Sequence, residues 1–98
     1  MLENKFQANL IKRIKKEFDG SIVTKLDAGH IQGIPDLLML HGDKWATLEC
    51  KKTATARHQP NQDYYVGLMD TMGFSRFVYP ENEDEVFDDL HTYFEIKR

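Results

Sequence analysis

Gly33-Ile34-Pro35-Asp36-Leu37-Leu38-Met39-Leu40-His41-Gly42-Asp43-Lys44-Trp45-Ala46-Thr47-Leu48-Glu49-Cys50-Lys51 reads as two strands joined by a tight turn. Pro35 opens the first strand, where no ladder donor is lost. The run Asp36-Leu37-Leu38-Met39-Leu40 is continuously apolar after its first residue, as expected of a central strand covered on both faces. His41-Gly42-Asp43 forms the turn, and residues 44–51 return as the next strand. Side chains alternate across a strand, so Glu49 and Lys51 share one face and Cys50 points to the other. Stepping outward from the Gly42-Asp43 turn reaches Asp36 on one side and Glu49 on the other after equal numbers of residues. Antiparallel pairing therefore sets these two carboxylates side by side.

The rest of the chain arranges itself around this hairpin. Leu2, Phe6, Leu10, Ile14 and Phe18 recur every four residues, with Ile11 beside them, and predict a helix over 2–18 that Gly20 stops. Lys12, Arg13, Lys15 and Lys16 fall on its other, solvated faces. The β-branched stretch 21–26 predicts a strand and 27–33 a glycine-containing loop. After a polar loop over 53–59, Pro60 suits the first position of a helix running to about residue 72 and ended by Gly73. Residues 75–79 predict a fourth strand, stopped by Pro80. Asn82 and Glu85 have capping-box spacing, and Val86, Phe87, Leu90, Tyr93 and Phe94 form the buried stripe of a last helix. The order α-β-β-β-α-β-α predicts an α/β (α+β) fold, a mixed β-sheet with helices on both faces, as one domain over 1–98.

Composition narrows the function classes. The chain has 98 residues and a net charge of −3. Its charges are unevenly placed: residues 1–60 carry ten Lys and Arg against seven Asp and Glu, whereas residues 61–98 carry three against nine. The local field around residues 36–58 is thus compatible with a phosphate backbone despite the negative total. A single cysteine, Cys50, excludes an internal disulfide and a Cys-rich zinc site. No apolar run is long enough to span a membrane and no signal-type apolar segment follows Met1, so the expected location is intracellular, in the cytoplasm (of the host, if the protein is viral).

Two adjacent carboxylates repel one another unless a cation joins them. Asp36 and Glu49 are accordingly the expected ligands of Mg²⁺ or Mn²⁺, which keeps several waters when bound by one or two carboxylates. The backbone carbonyl of Cys50 would supply another oxygen, and Glu3 a third acid if the first helix begins beside the site. Lys51 would orient or deprotonate a water, or neutralise charge building on a phosphate. Gln62, near the start of the helix after Pro60, would fix that water or touch the phosphate. Lys52, Arg57 and His58 in the adjoining loop are candidate phosphate contacts. Tyr64 and Tyr65 are expected in the core or an interface.

The order Gly33-Ile34-Pro35-Asp36-Leu37, Glu49-Cys50-Lys51, then Gln62 on a helix ending at Gly73, then Phe77-Val78-Tyr79 and a closing acidic helix resembles the PD-(D/E)XK nuclease superfamily. Within it the chain is most similar to the stand-alone VRR-NUC (virus-type replication-repair nuclease) type. The resemblance covers nearly the whole chain and rests on the order and spacing of short motifs. It implies a restriction-endonuclease-like fold and a homodimeric, Mg²⁺- or Mn²⁺-dependent endonuclease acting on branched or Holliday-junction DNA, in a format common in phages. Carried over by position, Asp36 and Glu49 become metal ligands, Lys51 the catalytic lysine, Gln62 the motif glutamine and Glu3 the helix-borne acid. An aliphatic residue is common where this chain has Cys50. The competing expectations are a catalytically idle DNA-binding module and a protein-interaction module using the acidic cluster at residues 83–89.

Overall fold

Phe6, Leu10, Ile14 and Phe18 lie within 1% of complete burial, and this four-residue repeat decides how the first helix packs. The computed structural model describes residues 2–95. Its elements are α1 (Glu3–Glu17), β1 (Ile22–Lys25), β2 (Leu37–His41), β3 (Lys44–Cys50), α2 (Gln62–Met72), β4 (Phe74–Val78) and α3 (Glu83–Phe94). The strands form one mixed sheet in the order β1-β2-β3-β4. β1–β2 and β2–β3 pair antiparallel, whereas β3–β4 pair parallel with α2 as the crossover. The α+β class and the element order are as the sequence predicts.

The β2–β3 register runs from His41 opposite Lys44 to Leu37 opposite Leu48. It leaves a two-residue connection whose first member, Gly42, has φ +62°, the backbone of a II′ hairpin turn. On one face of the sheet, Leu37, Met39, Ala46, Leu48, Cys50 and Val78 meet the apolar stripes of α1 and α3 in a single cluster. Burying each large side chain there contributes about 1.5–3 kcal/mol. On the other face α2 packs over β3 and β4.

That one-sided coverage changes which strand is enclosed. Leu37 and Met39 are buried, but Leu38 is half-buried and Leu40 is 40% exposed, because α2 does not extend over β1 and β2. The doubly covered strand is β3, where Ala46 to Cys50 are all buried. Leu2, expected in the α1 stripe, is 78% exposed, one residue ahead of the helix.

Three further local expectations give way to tertiary contacts. Pro60 is not the first residue of α2; it lies in a turn, and the helix starts at Gln62 after Asn61 takes a left-handed φ of +70°. No capping box forms at α3: the Asn82 side chain accepts from the Tyr79 N–H at 2.9 Å and donates to the Phe77 carbonyl at 3.0 Å, tying the β4–α3 turn together instead. Arg13 is not a solvated residue. Its guanidinium donates to Glu17 and Glu83 at 2.6 Å and Asp84 at 2.9 Å, and lies 4.0 Å over the Phe87 ring. Tyr64 is largely exposed, outside the core. Among the described residues no helix is long and apolar enough to cross a membrane.

Gly33 marks where the 27–33 loop is pressed against the start of α2. It has φ +90°, and a Cβ there would stand 2.6 Å from Asn61 Cβ and 2.7 Å from its backbone carbon. Left-handed backbone alone costs a non-glycine residue roughly 1–2 kcal/mol. Gly33→Ala is therefore expected to destabilise the fold by about 2 kcal/mol or more once the steric displacement is added. Urea unfolding of the variant checks this, and an unchanged midpoint would refute it.

Candidate active site

The last β2–β3 pair is Leu37 opposite Leu48, so Asp36 and Glu49 follow as the next cross-strand neighbours on the face that α2 covers. Asp36 ends the approach to β2 and is held from both sides. Its carbonyl accepts from the Leu26 N–H at 2.9 Å, and its Oδ2 accepts from the Cys50 N–H at 2.9 Å. Glu49 belongs to the enclosed strand and is only 2% exposed. Its Oε2 accepts from Gln62 Nε2 at 3.0 Å. Its Oε1 is buried and has no hydrogen-bond donor. Asp36 stands within hydrogen-bond reach, so a proton on Glu49 is shared between the two carboxyls, whereas with both ionised neither can donate to the other.

Burial pushes the Glu49 carboxyl up to about 8, and the neighbouring Asp36 carboxylate, with Glu3 further off, adds to the rise. Lys51 opposes it, from an ammonium 4.0 Å from Glu49 Oε2. Lys51 is itself buried. Its Nζ donates to Gln62 Oε1 at 2.6 Å and to the Arg57 carbonyl at 3.2 Å. Of its three protons two are thus taken by neutral acceptors, which leaves the third for the cavity that Lys51 lines.

That cavity, of about 600 Å³, opens to solvent between the start of α1 and the 52–59 loop. Glu3, Asp36, Glu49, Lys51 and Gln62, the five acidic, basic and amide side chains expected from the sequence, all line it. Leu2, Asn4, Lys52, Ala56, Arg57 and Gln59 complete the wall. Cys50 does not line it. The thiol is fully buried among core residues on the opposite face, where burial holds it far above the ordinary thiol range; its N–H, by contrast, positions Asp36.

Gln62 takes a different part from the one expected. Rather than pointing a free amide at a water or phosphate, it bridges the site: Oε1 accepts from Lys51 and from the Gln59 N–H at 2.8 Å, while Nε2 donates to Glu49. His58 also departs from expectation. Its ring stacks on Phe77 and pairs with Asp63 instead of facing the cavity. The sequence reading missed the roles of the Arg57 carbonyl, the Gln59 N–H and the Cys50 N–H. Main-chain groups are common to all residue types, so no sequence pattern marks them.

Among the described residues no three or more His, Cys, Asp or Glu side chains group into a ready metal-holding set. What the site offers is a carboxylate pair, a buried oxygen without a donor, and Glu3 on the cavity wall. Comparison with protein-family profiles, with curated proteins and with solved structures finds no match in any of the three.

The raised Glu49 value predicts a pH dependence. Folding favours the protonated form, so this contribution to stability is complete below about pH 4.5 and is lost as pH rises through about 8. Glu49→Gln, which keeps the shape without the charge, is expected to melt higher than the parent at pH 8 in the absence of divalent cations. The difference should vanish near pH 4.5. Thermal unfolding followed across pH tests both.

Proposed function

We propose that this chain is a metal-dependent endodeoxyribonuclease of the PD-(D/E)XK, VRR-NUC type, hydrolysing phosphodiester bonds in branched or junction DNA. The observation that carries the reading is Glu49 Oε1: a buried carboxylate oxygen that, once ionised, has no donor, beside a second carboxylate and at the edge of a solvent-open cavity. Leaving the ionised group unpaired is costly: a proton shared with Asp36 relieves it below about pH 8, and a divalent cation relieves both the missing donor and the repulsion from Asp36 once that proton is lost. The donor set fits Mg²⁺ or Mn²⁺, which takes one or two carboxylates and fills its remaining positions with water. Asp36 and Glu49 would hold it, with Glu3 on the cavity wall as a further oxygen donor. When bound, it supplies Lewis acidity and an acidified water.

The chain's own groups do the rest. Lys51 is held on two sides by neutral acceptors and stands 4.0 Å from Glu49 Oε2 without a hydrogen bond to it, which leaves its remaining proton for a phosphate. Gln62 keeps Lys51 and Glu49 at a fixed separation. Lys52 and Arg57, exposed at the cavity wall, supply positive charge for flanking phosphates. The acidic cluster of α3 is partly consumed inside the fold, since Glu83 and Asp84 pair with Arg13, which weighs against a protein-docking role for it.

Incubation of labelled branched and linear DNA with Mg²⁺ or Mn²⁺ should give cleavage, with branched substrates preferred. Asp36→Ala and Lys51→Ala should each lower the rate about 100-fold or more. By calorimetry Asp36→Ala should lose Mg²⁺ affinity while Lys51→Ala retains it. DNA left intact by the parent protein with either metal would falsify the assignment.

A homodimer is proposed on the same footing. Ile22, Leu40, Leu68 and Met72 are exposed on the α2 side of the sheet, the kind of uncharged surface a second copy would cover. Light scattering is expected to give twice the mass of one chain, and Leu40→Lys to return it to one.

A further inference from the structure

The segment between β3 and α2 crosses the cavity wall, and two of its main-chain groups hold the polar centre. The Arg57 carbonyl accepts from Lys51 Nζ at 3.2 Å, and the Gln59 N–H donates to Gln62 Oε1 at 2.8 Å. These two groups belong to the residues on either side of His58. Gln62 Oε1 also accepts from Lys51, so the Lys51–Gln62 pair is gripped at both ends by the backbone flanking one histidine.

His58 is in turn fastened to the rigid part of the fold. Its ring lies flat on Phe77, with centroids 4.1 Å apart and planes 17° from parallel. Its Nδ1 stands 2.7 Å from Asp63 Oδ1. Phe77 is the register partner of Glu49 across β3–β4, so the ring is anchored on the strand neighbour of the carboxylate itself. The other ties of the segment are Ala54 N–H to Glu81 Oε2, Ala56 N–H to the Thr53 carbonyl and Gln62 N–H to the Gln59 carbonyl, each at 3.2 Å; the last holds Gln59 to α2, so the Arg57 carbonyl is the group that depends most on His58. His58 does not line the cavity.

We infer that His58 is a positioning residue. By stacking on Phe77 it fixes the Arg57 carbonyl and the Gln59 N–H, and through them the direction of the Lys51 ammonium. This rests on the reading of Lys51 as the group that meets the phosphate. The stack is the essential contact, because the Asp63 side chain is 76% exposed and its pairing is weakened by solvent. A phenyl ring preserves the stack and loses the pairing, so Phe is the conservative replacement.

The test uses His58→Ala and His58→Phe in the full chain, with two readouts. The first needs no DNA: the rate at which an amine-reactive acylating reagent modifies Lys51, read by peptide mass spectrometry with exposed Lys52 as internal reference. Release of the ammonium in His58→Ala should raise the Lys51 rate several-fold relative to Lys52, and His58→Phe should match the parent. The second readout is cleavage. In His58→Ala, kcat should fall on the order of 10-fold to 100-fold, as misplacement of a reacting group does, with KM nearly unchanged and His58→Phe restoring most of the rate. Thermal midpoints check that the fold is kept.

Unchanged Lys51 labelling in His58→Ala overturns the inference, as does a His58→Phe variant impaired like His58→Ala. If the parent protein cleaves no DNA, the nuclease reading fails, and the labelling arm alone still decides whether His58 positions Lys51.

Discussion

A two-residue connection at Gly42–Asp43 sets Leu37 opposite Leu48, and Asp36, Glu49 and Lys51 take their places from that pairing. Because strand side chains alternate, slipping the register by one residue would turn Glu49 and Lys51 into the core and Cys50 toward α2. The apolar residues of the other face prevent the slip. Leu37, Met39, Ala46, Leu48 and Cys50 are buried together against α1 and α3, and each would have to be exposed for the hairpin to re-pair. The hydrophobic core thus enforces the position of the charged groups without touching them.

Burial then sets the chemical character of those groups. Glu49 sits on the strand that helices cover from both sides, so its charge is poorly solvated, and Asp36 beside it adds repulsion rather than relief. Lys51, two residues on, emerges where the sheet ends and finds a backbone carbonyl and an amide oxygen. A buried ammonium closely paired with a carboxylate would have little field left for a ligand. Neutral acceptors satisfy its hydrogen bonds and leave the charge in place. Gln62 is suited to stand between the two because its amide accepts at one end and donates at the other.

Charge elsewhere in the fold is organised on the same principle of local pairing. The acidic residues of the C-terminal third suggest a negative surface, yet Glu83 and Asp84 converge with Glu17 on Arg13, and Glu17 also meets His91 at 2.8 Å. This knot joins α1 to the start of α3, with Arg13 lying over Phe87. Lys52 and Arg57, by contrast, stay exposed at the cavity. The asymmetry in composition between the two parts of the chain therefore reaches the surface unevenly, with Lys52 and Arg57 at the cavity and Lys12, Lys15 and Lys16 exposed on α1.

Periodicity and turn chemistry made the element order, the β2–β3 hairpin and the convergence of Asp36, Glu49 and Lys51 legible in the sequence. All three depend on contacts between residues close along the chain, and their spacing is visible in the letters. The element boundaries at Gln62 and the idle capping-box pattern at Asn82 were not legible, because neighbours from other elements claim those groups. Gly33 crowds Asn61, and Phe77 and Tyr79 occupy the Asn82 amide. Nor could spacing reveal that β3 rather than β2 is enclosed, that Gln62 bridges Glu49 to Lys51, or that Arg13 gathers three carboxylates. These depend on where α2 and α3 come to rest on the sheet. Local spacing determines which residues can meet within a hairpin, whereas packing between distant elements decides which polar groups lose water and must find one another.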